Sequence, residues 1–272
     1  MSQAHDDNTL IIGKDDLAAQ LAALGVQRGD GVFVHTSLAQ IGHVIGGPRG
    51  LIEALIEAVG DRGLIGMPGF SHDAYDPATL MDVRLSEKQR LHVRSQVPGF
   101  DPARSDVRQN GAVPEAFRSW PGVIRSHHPT SSVLLLGPDA AELAADHDPL
   151  DWATGPETPW GRLRDRPAMK ILLIGVDWNR CSALHAAESV ATHRRTILRD
   201  IRHGPDGAWI KAPDVEDDLG RLFLPAGKAW EETGAVAMGK IGNADCRLTD
   251  YGALVEFAAD WIGRQNREDG IT

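Results

Sequence analysis

The chain has 272 residues, of which 42% are hydrophobic and 24% charged, a balance that fits one globular domain with a sizeable core. Its formal net charge of −10 argues against binding to nucleic acid and to anionic membranes, and favours cationic partners. We expect a single domain over residues 1–272, with flexible tails at about 1–9 and 266–272.

Amphipathic helical patterns alternate with short apolar runs along the chain. In chain order these patterns predict a helix at 15–26, a strand at 31–35, a helix at 51–59, a strand at 64–68, a helix at 113–120, a strand at 132–136, a helix at 139–147, a strand at 170–175, a helix at 184–193, a strand at 235–238 and a helix at 251–265. Strands separated by helices indicate an α/β fold with a sheet covered on its faces. The long irregular stretches 71–106 and 147–161 are typical of functional loops.

The cysteines and the N-terminus indicate a compartment. Cys181 and Cys246 are the only two cysteines and form no CxxC pair, which favours a reducing environment without disulfides. The first nine residues lack the basic and apolar regions of a signal peptide, and no apolar run reaches the ~18 residues of a membrane span. The sequence therefore predicts a cytoplasmic protein.

The first candidate ligand-binding segment follows the predicted strand at 31–35. It reads His35-Thr36-Ser37-Leu38 and reaches Ile45-Gly46-Gly47 immediately before a helix. Backbone N–H groups at a helix start, with no Cβ in the way, suit a phosphate or pyrophosphate. The pattern is neither GxGxxG nor a P-loop, and on these residues alone a simple tight turn is an equal interpretation.

The second segment follows the predicted strand at 170–175. His185 and Glu188 are three residues apart on a predicted helix, so both side chains lie on one face. Past the carboxyl end of a strand, that face looks into the crevice where open α/β folds bind ligands. A neutral histidine there can take a proton from an amine, and the carboxylate can orient the imidazole. Taken alone, a surface His/Glu pair is the more common explanation.

Other catalytic constellations are weak. The eleven histidines form no HExxH motif and no Cys/His cluster, so no metal is expected. Ser37 and Ser71 follow strands, but no GxSxG elbow occurs and no sequence pattern indicates a hydrolase triad. The tryptophans in the polar loops, Trp152, Trp160 and Trp178, are interpreted as packing residues.

Five ordered blocks resemble a known family. They are HTSLAQIGHVIGG at 35–47, the long block at 100–137 that begins FDPARSDVRQNG, ADHDPLDWATGPETPWGRL at 145–163, SALHAAE at 182–188 and GKIGNAD at 239–245. Together they are similar to the aminoglycoside 3-N-acetyltransferases, from about residue 17 to 261. The resemblance implies that family's own α/β fold, a single domain with a central mixed sheet flanked by helices. It also implies acetyl transfer from acetyl-CoA to the 3-amino group of a 2-deoxystreptamine ring, which confers resistance to the antibiotic.

The same resemblance implies roles for individual residues. His185 would be the general base, with Glu188 as its partner or as a ligand of the substrate amine. For acetyl-CoA it implies contacts from the stretches 35–47, 108–113 and 125–128, and in particular from His35, Thr36, Ser37, Leu38, Ile45, Gly46, Gly47, Arg108, Val113 and Ser126. For the antibiotic it implies Phe70, Asp101, Asp151, Glu188, Asp217 and Asp218. The expected partner is thus a small cationic molecule, and the protein is expected to be a monomer or homodimer that needs no metal.

Two departures bear on the acceptor. The loop after residue 67 reads Pro-Gly-Phe-Ser-His-Asp, in a region that varies in the family, and the segment 219–223 lacks a carboxylate that some members have. Two alternatives therefore stay open beside the leading hypothesis. One is an acetyltransferase of the same fold that acts on another amine, and the other is a non-catalytic binder of cationic ligands. A hydrolase is the least favoured.

Overall fold

The computed structural model describes residues 10–77, 85–216 and 220–271. Seven strands form the central sheet and four more form two small sheets in this part of the chain. The strands are β1 (Ile11–Ile12), β2 (Gly31–Thr36), β3 (His43–Val44), β4 (Leu64–Pro68), β5 (Ile124–Arg125), β6 (Val133–Leu136), β7 (Met169–Ile174), β8 (Thr196–Arg202), β9 (Trp209–Val215), β10 (Ala237–Ile241) and β11 (Ala244–Asp250).

The central sheet is mixed, which confirms the predicted fold class. Its strand order is β10-β11-β7-β2-β4-β6-β5. The three middle strands, β7, β2 and β4, run parallel, and the strands outside them pair antiparallel. Outside this sheet, β1 pairs with β3, and β8 and β9 form a long antiparallel hairpin.

Helices lie on both faces of the sheet. They are α1 (Lys14–Leu24), α2 (Leu38–Ile41), α3 (Pro48–Val59), α4 (Glu87–Gln96), α5 (Ala112–Arg118), α6 (Ala140–Ala144), α7 (Pro159–Asp165), α8 (Ala183–Val190), α9 (Phe223–Glu232) and α10 (Tyr251–Glu268). In the described ranges no helix combines the length and the apolarity that crossing a membrane requires.

The middle strands are continuous apolar runs because both of their faces are covered. Along β2, Phe33 belongs to the core on one face, while Val32 and Val34 belong to the core on the other. This alternation follows from the two-residue period of a strand, and burial on both faces explains why no polar face is visible in the sequence.

The order of the parallel strands determines where a ligand can bind. From β2 the chain moves to β4 on one side of it and later to β7 on the other side. The carboxyl ends of these three strands therefore meet where the strand order reverses, which is where open α/β sheets bind ligands. The loops that follow Thr36, Pro68 and Ile174 all begin at this edge.

The last helix continues past its predicted end at residue 265. It runs to Glu268, and Asn266 is buried with its side-chain amide donating to the carbonyl oxygen of His193 at 2.8 Å. The predicted flexible tail at 266–272 thus begins with residues of a packed helix, whereas residues 1–9 lie outside the described ranges.

Candidate active site

A cavity of about 350 Å³ opens at the carboxyl ends of the three parallel strands. We call it the strand-end cavity. His35 and Thr36 reach it from the end of β2, Phe70 from the loop after β4, and Ser182 and His185 from the segment after β7. The fold therefore brings together residues that are up to 188 positions apart in the sequence, from His35 to Phe223.

His185 lies in α8, and its imidazole contacts a carboxylate of the same helix. Nδ1 of His185 is 3.3 Å from Oε2 of Glu188, whose side chain is only 6% exposed. An ionised carboxylate only accepts hydrogen bonds, so Nδ1 donates and Nε2 keeps the lone pair that a base needs. The two residues share a helical face, as their spacing predicts.

Two phenylalanines fix the plane of the His185 imidazole. The ring of Phe70 lies edge-on at 6.0 Å between centroids, and the ring of Phe223 lies edge-on at 4.8 Å. Such edge-to-face pairs are a preferred aromatic geometry. Packing on both sides restricts rotation of the imidazole, so its nitrogens keep fixed directions.

The backbone around His185 is held by a residue from the irregular stretch 147–161. The hydroxyl of Thr154 donates to the carbonyl oxygen of His185 at 3.0 Å and is 2.6 Å from the hydroxyl of Ser189. Thr154 is buried, so these hydrogen bonds are shielded from water. A long loop far from α8 in sequence thus anchors the helix at the candidate base.

His185 also lines a second cavity, of about 170 Å³. Phe70 and His185 line both cavities. The other residues that line the second cavity are Tyr75, Thr130, Ser131, Thr154, Arg199, Asp214 and Val215. A base that lines two cavities can remove a proton from a molecule bound in one cavity. At the same time that molecule can react with a second molecule bound in the other cavity.

The strand-end cavity carries cations and amides on its walls. Arg108 and Arg180 line it together with the amide side chains of Gln109, Asn110 and Asn179. Arg108 is 2.8 Å from the carboxylate of Asp106, whereas no ion pair of Arg180 with a described carboxylate is present. Guanidinium groups pair well with phosphate, and amides with amides, so these walls suit a ligand that contains both.

The second cavity contains a close ion pair. Nε of Arg199 in β8 is 2.6 Å from Oδ2 of Asp214 in β9, and both side chains are mostly buried. Around this pair the wall offers hydroxyl groups from Tyr75, Thr130 and Ser131. Hydroxyls and a carboxylate are groups that bind ammonium and hydroxyl substituents of a polar ligand.

Buried Arg125 holds the loop that carries Phe70. Its guanidinium donates to the carbonyl oxygens of Gly69 at 2.6 Å and Ser105 at 2.5 Å, and to the hydroxyl of Ser132 at 3.0 Å. Burial lowers the pKa of Arg125 to about 10, so the group remains charged at neutral pH. One side chain therefore ties the loop after β4 to the segment before residue 106.

We expect Arg125→Met to destabilise the protein, because the carbonyl oxygen of Ser105 loses this donor and that of Gly69 keeps only the hydroxyl of Ser132. Each buried group that loses its partner costs about 1–3 kcal/mol. Urea denaturation of the variant should show a lower free energy of unfolding. Arg104→Met, at a side chain that is 88% exposed, is the matched control and should stay within about 0.5 kcal/mol of the wild type. Equal stability of the two variants would contradict this role.

Several predicted site residues meet at these cavities. His35, Thr36 and Arg108 line the strand-end cavity, and Phe70 and His185 line both cavities. The rest of the predicted acetyl-CoA segment does not line the strand-end cavity but continues from it over the surface: Ser37, Leu38, Ile45, Gly46 and Gly47. The glycine pair has positive φ angles of 78° and 57° and turns the chain into α3.

Four other predicted contacts are placed elsewhere. Val113 is buried in the hydrophobic core, and Ser126 is buried with its hydroxyl bonded to His147, so neither side chain reaches the strand-end cavity. Asp101 does not reach either cavity because its carboxylate caps its own turn at the N–H of Ala103, and Asp151 is exposed outside both. The predictions for Asp217 and Asp218 lie outside the described residues.

Some lining residues carried no assignment in the sequence. The sequence could have indicated Asn179, Arg180 and Ser182, because they belong to the polar loop between β7 and the helix of the candidate base. Arg199 gave no signal, because it lies in a hairpin that the apolar pattern does not reveal, and the acidic run 214–218 predicts a solvated loop, whereas Asp214 lies in β9.

The cysteine beside the site is not a nucleophile. Cys181 immediately precedes Ser182 but is fully buried, and burial raises the pKa of its thiol to about 12. Ser71 is also buried, and its hydroxyl accepts from the N–H of Asp73. Among the described residues, no three His, Cys, Asp or Glu side chains come together as a group that could hold a metal ion.

Comparison with known proteins assigns this chain to a family. The family model described as aminoglycoside 3-N-acetyltransferase matches residues 33–263. Aminoglycoside N(3)-acetyltransferase IX of Micromonospora chalcea is 34% identical over 89% of this chain and 90% of its own length.

Solved structures agree with this assignment. AAC-VIa bound to sisomicin is 31% identical, has a TM-score of 0.83 and aligns over 94% of this chain and 99% of its own. AAC-IIIb in a binary complex with CoASH is 30% identical, has a TM-score of 0.81 and aligns over 94% of this chain and 98% of its own. The resemblance seen in the sequence is confirmed: this chain belongs to the aminoglycoside 3-N-acetyltransferase family.

Proposed function

We propose that this protein transfers the acetyl group of acetyl-CoA to the 3-amino group of the 2-deoxystreptamine ring of an aminoglycoside, and that this acetylation confers resistance. The observation that carries the proposal is that His185 lines both cavities and pairs through Nδ1 with Glu188. Membership of the family supports the reaction, and the named relatives supply the acceptor class.

The strand-end cavity is the proposed site of the acetyl-pantetheine arm. AAC-IIIb, a structural neighbour, binds CoASH, which supports acetyl-CoA as the co-substrate. In this chain Arg108 and Arg180 would attract its phosphates, and the amides of Gln109, Asn110 and Asn179 would bind polar groups of the arm. The surface segment 37–47 would extend the site along the edge of the sheet.

The second cavity is the proposed acceptor site. AAC-VIa binds sisomicin, a cationic antibiotic, and this chain carries a net charge of −10. Asp214 and the hydroxyls of Tyr75, Thr130 and Ser131 would bind ammonium and hydroxyl groups of the acceptor. The acceptor amine would then approach the thioester past the imidazole of His185.

The chemistry requires a base at this place. An ammonium group has no lone pair, and nearby carboxylates raise the pKa of a bound amine and hold its proton. After the ammonium has lost one proton to water, Nε2 of His185 would take the proton that the amine nitrogen sheds as it attacks, while Glu188 stabilises the imidazolium that results. Direct transfer between two bound molecules needs no enzyme nucleophile, which agrees with the buried thiol of Cys181.

Asp214→Asn should weaken acceptor binding, because it removes a negative charge and leaves the charge of Arg199 less compensated. We expect the KM for the acceptor to rise about three- to fivefold, corresponding to about 1 kcal/mol, with the larger rise at low salt. Steady-state kinetics at two salt concentrations measure this. The control is Asp206→Asn, in the exposed loop of the same hairpin, and a similar rise in both variants would contradict a specific role of Asp214.

The direct test is a thiol-release assay with acetyl-CoA and a panel of aminoglycosides. The panel contains 4,5- and 4,6-disubstituted deoxystreptamines and apramycin, and mass spectrometry and NMR identify each product. One acetyl group on the 3-amino nitrogen is the expected result. Binding of acetyl-CoA by calorimetry without acetylation of any member would favour the alternative of another amine acceptor. Antibiotic binding without turnover, unaffected by His185→Ala, would favour a non-catalytic binder.

A further inference from the structure

The surroundings of His35 indicate a role beyond simple contact with a ligand. It lies at the carboxyl end of β2, is only 5% exposed, and lines the strand-end cavity together with His185. Its ring packs against Phe33 at 5.4 Å between centroids. The imidazole is therefore packed in place at the wall of the strand-end cavity.

A backbone group selects the tautomer of this imidazole. The N–H of Ser182 donates to Nε2 of His35 at 3.3 Å. A backbone N–H can only donate, so Nε2 must hold a lone pair and the proton of the neutral ring must be on Nδ1. Burial, with a smaller contribution from His185, lowers the pKa of His35 to about 3, so the ring stays neutral at physiological pH.

The Nδ1–H group has no acceptor among the described residues. Ser182 is the hydrogen-bond partner of His35 in this part of the chain, and it occupies the other nitrogen. Nδ1 of His35 is not among the fully buried polar atoms that lack a partner in the described residues, so this nitrogen keeps some exposure. Since His35 lines the strand-end cavity, this N–H is available to an acceptor atom of a ligand in that cavity.

We propose that the Nδ1–H of His35 donates a hydrogen bond to the thioester carbonyl oxygen of acetyl-CoA and stabilises the negative charge that this oxygen acquires during transfer. The proposal rests on the proposed function. It assigns to His35 a role in the chemical step, and it leaves proton transfer to His185.

The step balances as follows. The lone pair of the acceptor amine forms a C–N bond to the thioester carbon, and the carbonyl π electrons move to oxygen, which accepts from Nδ1–H of His35. The amine proton passes to Nε2 of His185. When the carbonyl re-forms, the C–S bond breaks, and the CoA thiolate takes the proton from His185. His35 keeps its own proton throughout.

A neutral donor suits this site better than a charged one. The acceptor is a polycation and His185 becomes positive during the step, so a second imidazolium beside them would be repelled. A neutral imidazole with a lowered pKa acts as the electrophile of triosephosphate isomerase in the same way. The N–H of Ser182, at the start of α8, enforces this state.

Two variants separate the donor from the ring. His35→Asn places an amide N–H close to the position of Nδ1, whereas His35→Leu removes the donor and keeps an apolar side chain. Loss of one oxyanion donor typically costs about 10²–10³-fold in kcat. We expect that loss in His35→Leu, a dissociation constant for acetyl-CoA within about threefold of wild type, and recovery of at least about tenfold in kcat in His35→Asn.

Spectroscopy tests the hydrogen bond without turnover. With acetyl-CoA labelled with ¹³C at the carbonyl, the infrared band of the bound thioester should lie at lower frequency in the wild type than in His35→Leu. In the free wild-type enzyme, ¹⁵N NMR of His35 should show a proton on Nδ1 at pH 6 to 9. If His35→Leu does not fold, the infrared comparison is made with His35→Phe, which keeps a ring and removes the donor, and the NMR experiment stands on the wild type.

A proton on Nε2, an unchanged carbonyl band or a kcat of His35→Leu within about threefold of wild type would each overturn the proposal. These outcomes differ from a failure of the proposed function. In that case the wild type would not bind acetyl-CoA or would acetylate no aminoglycoside.

Discussion

Replacing His185 by alanine is expected to lower kcat by about 10²–10⁴-fold, while the KM for acetyl-CoA stays within about threefold of the wild type. The physical reason is that in the proposed mechanism the imidazole acts on the amine proton, whereas the co-substrate would be held mainly by other residues of the strand-end cavity. The loss should appear in kcat and kcat/KM together, because the interaction exists only as the amine becomes a nucleophile.

Steady-state kinetics with both substrates varied will measure this effect. His92→Ala is a matched control, since His92 is an exposed histidine on a helix, α4, and lines neither cavity. Circular dichroism should show the same fold for both variants. A kcat of His185→Ala within a few-fold of the wild type would show that another group removes the proton.

The protein should lose stability steeply below pH 6.5. Burial lowers the pKa of three histidines: His35 to about 3, His147 to about 4, and His128 well below the ordinary value of 6.5. As pH falls below 6.5, the unfolded chain binds protons at these positions while the folded chain does not, so protonation favours unfolding. Near pH 5 three such groups change the free energy of unfolding by about 4 kcal/mol per pH unit.

His128→Asn isolates one of these three groups. Nδ1 of His128 accepts from the N–H groups of Thr130 at 3.3 Å and Ser131 at 3.1 Å, and the amide oxygen of asparagine can accept in its place. Denaturant titrations between pH 4.5 and 6.5 should therefore show a slope smaller by about 1.4 kcal/mol per pH unit. His92→Asn, at an exposed position, should leave the slope unchanged. An equal slope in wild type and His128→Asn would mean that His128 takes a proton in the folded state.

The core of the fold was predictable because its strands are buried on both faces. The runs at 31–35, 64–68 and 170–175 coincide with β2, β4 and β7 to within one residue at each end, and the helices beside them were also found. Continuous apolar runs give a strong signal when no face is exposed. The edge strand β10 was predicted two residues too early, since four of its five residues are exposed.

Elements with little buried surface were not predicted, because exposed residues leave no apolar pattern in the sequence. Helix α4 has no buried residue, so its apolar periodicity is absent, although its capping box between Ser86 and Gln89 is a local signal of a helix start. In the hairpin of β8 and β9, the exposed positions do not alternate regularly, but the connecting Gly204-Pro205-Asp206-Gly207 is a turn signature.

The candidate site divides between residues that follow buried strands and residues that do not. The position of His185 and Glu188 follows from a strand, a polar loop and a helical spacing of three, all visible in the sequence. The acidic acceptor ligands were harder to predict, because a carboxylate such as that of Asp101 can serve its own turn as easily as a ligand. Local sequence does not distinguish these two uses.

Because Phe70 lines both cavities, its position is more constrained in evolution than positions that line one cavity. Its ring lines both cavities, and its carbonyl oxygen accepts from the side chains of Gln109 and Asn110 on the wall of the strand-end cavity. A substitution there would alter both proposed sites at once, so selection on either would act against it. Arg199 and Asp214 line only the second cavity, and changes in their hairpin would alter the proposed acceptor site without a cost to the proposed acetyl-CoA site.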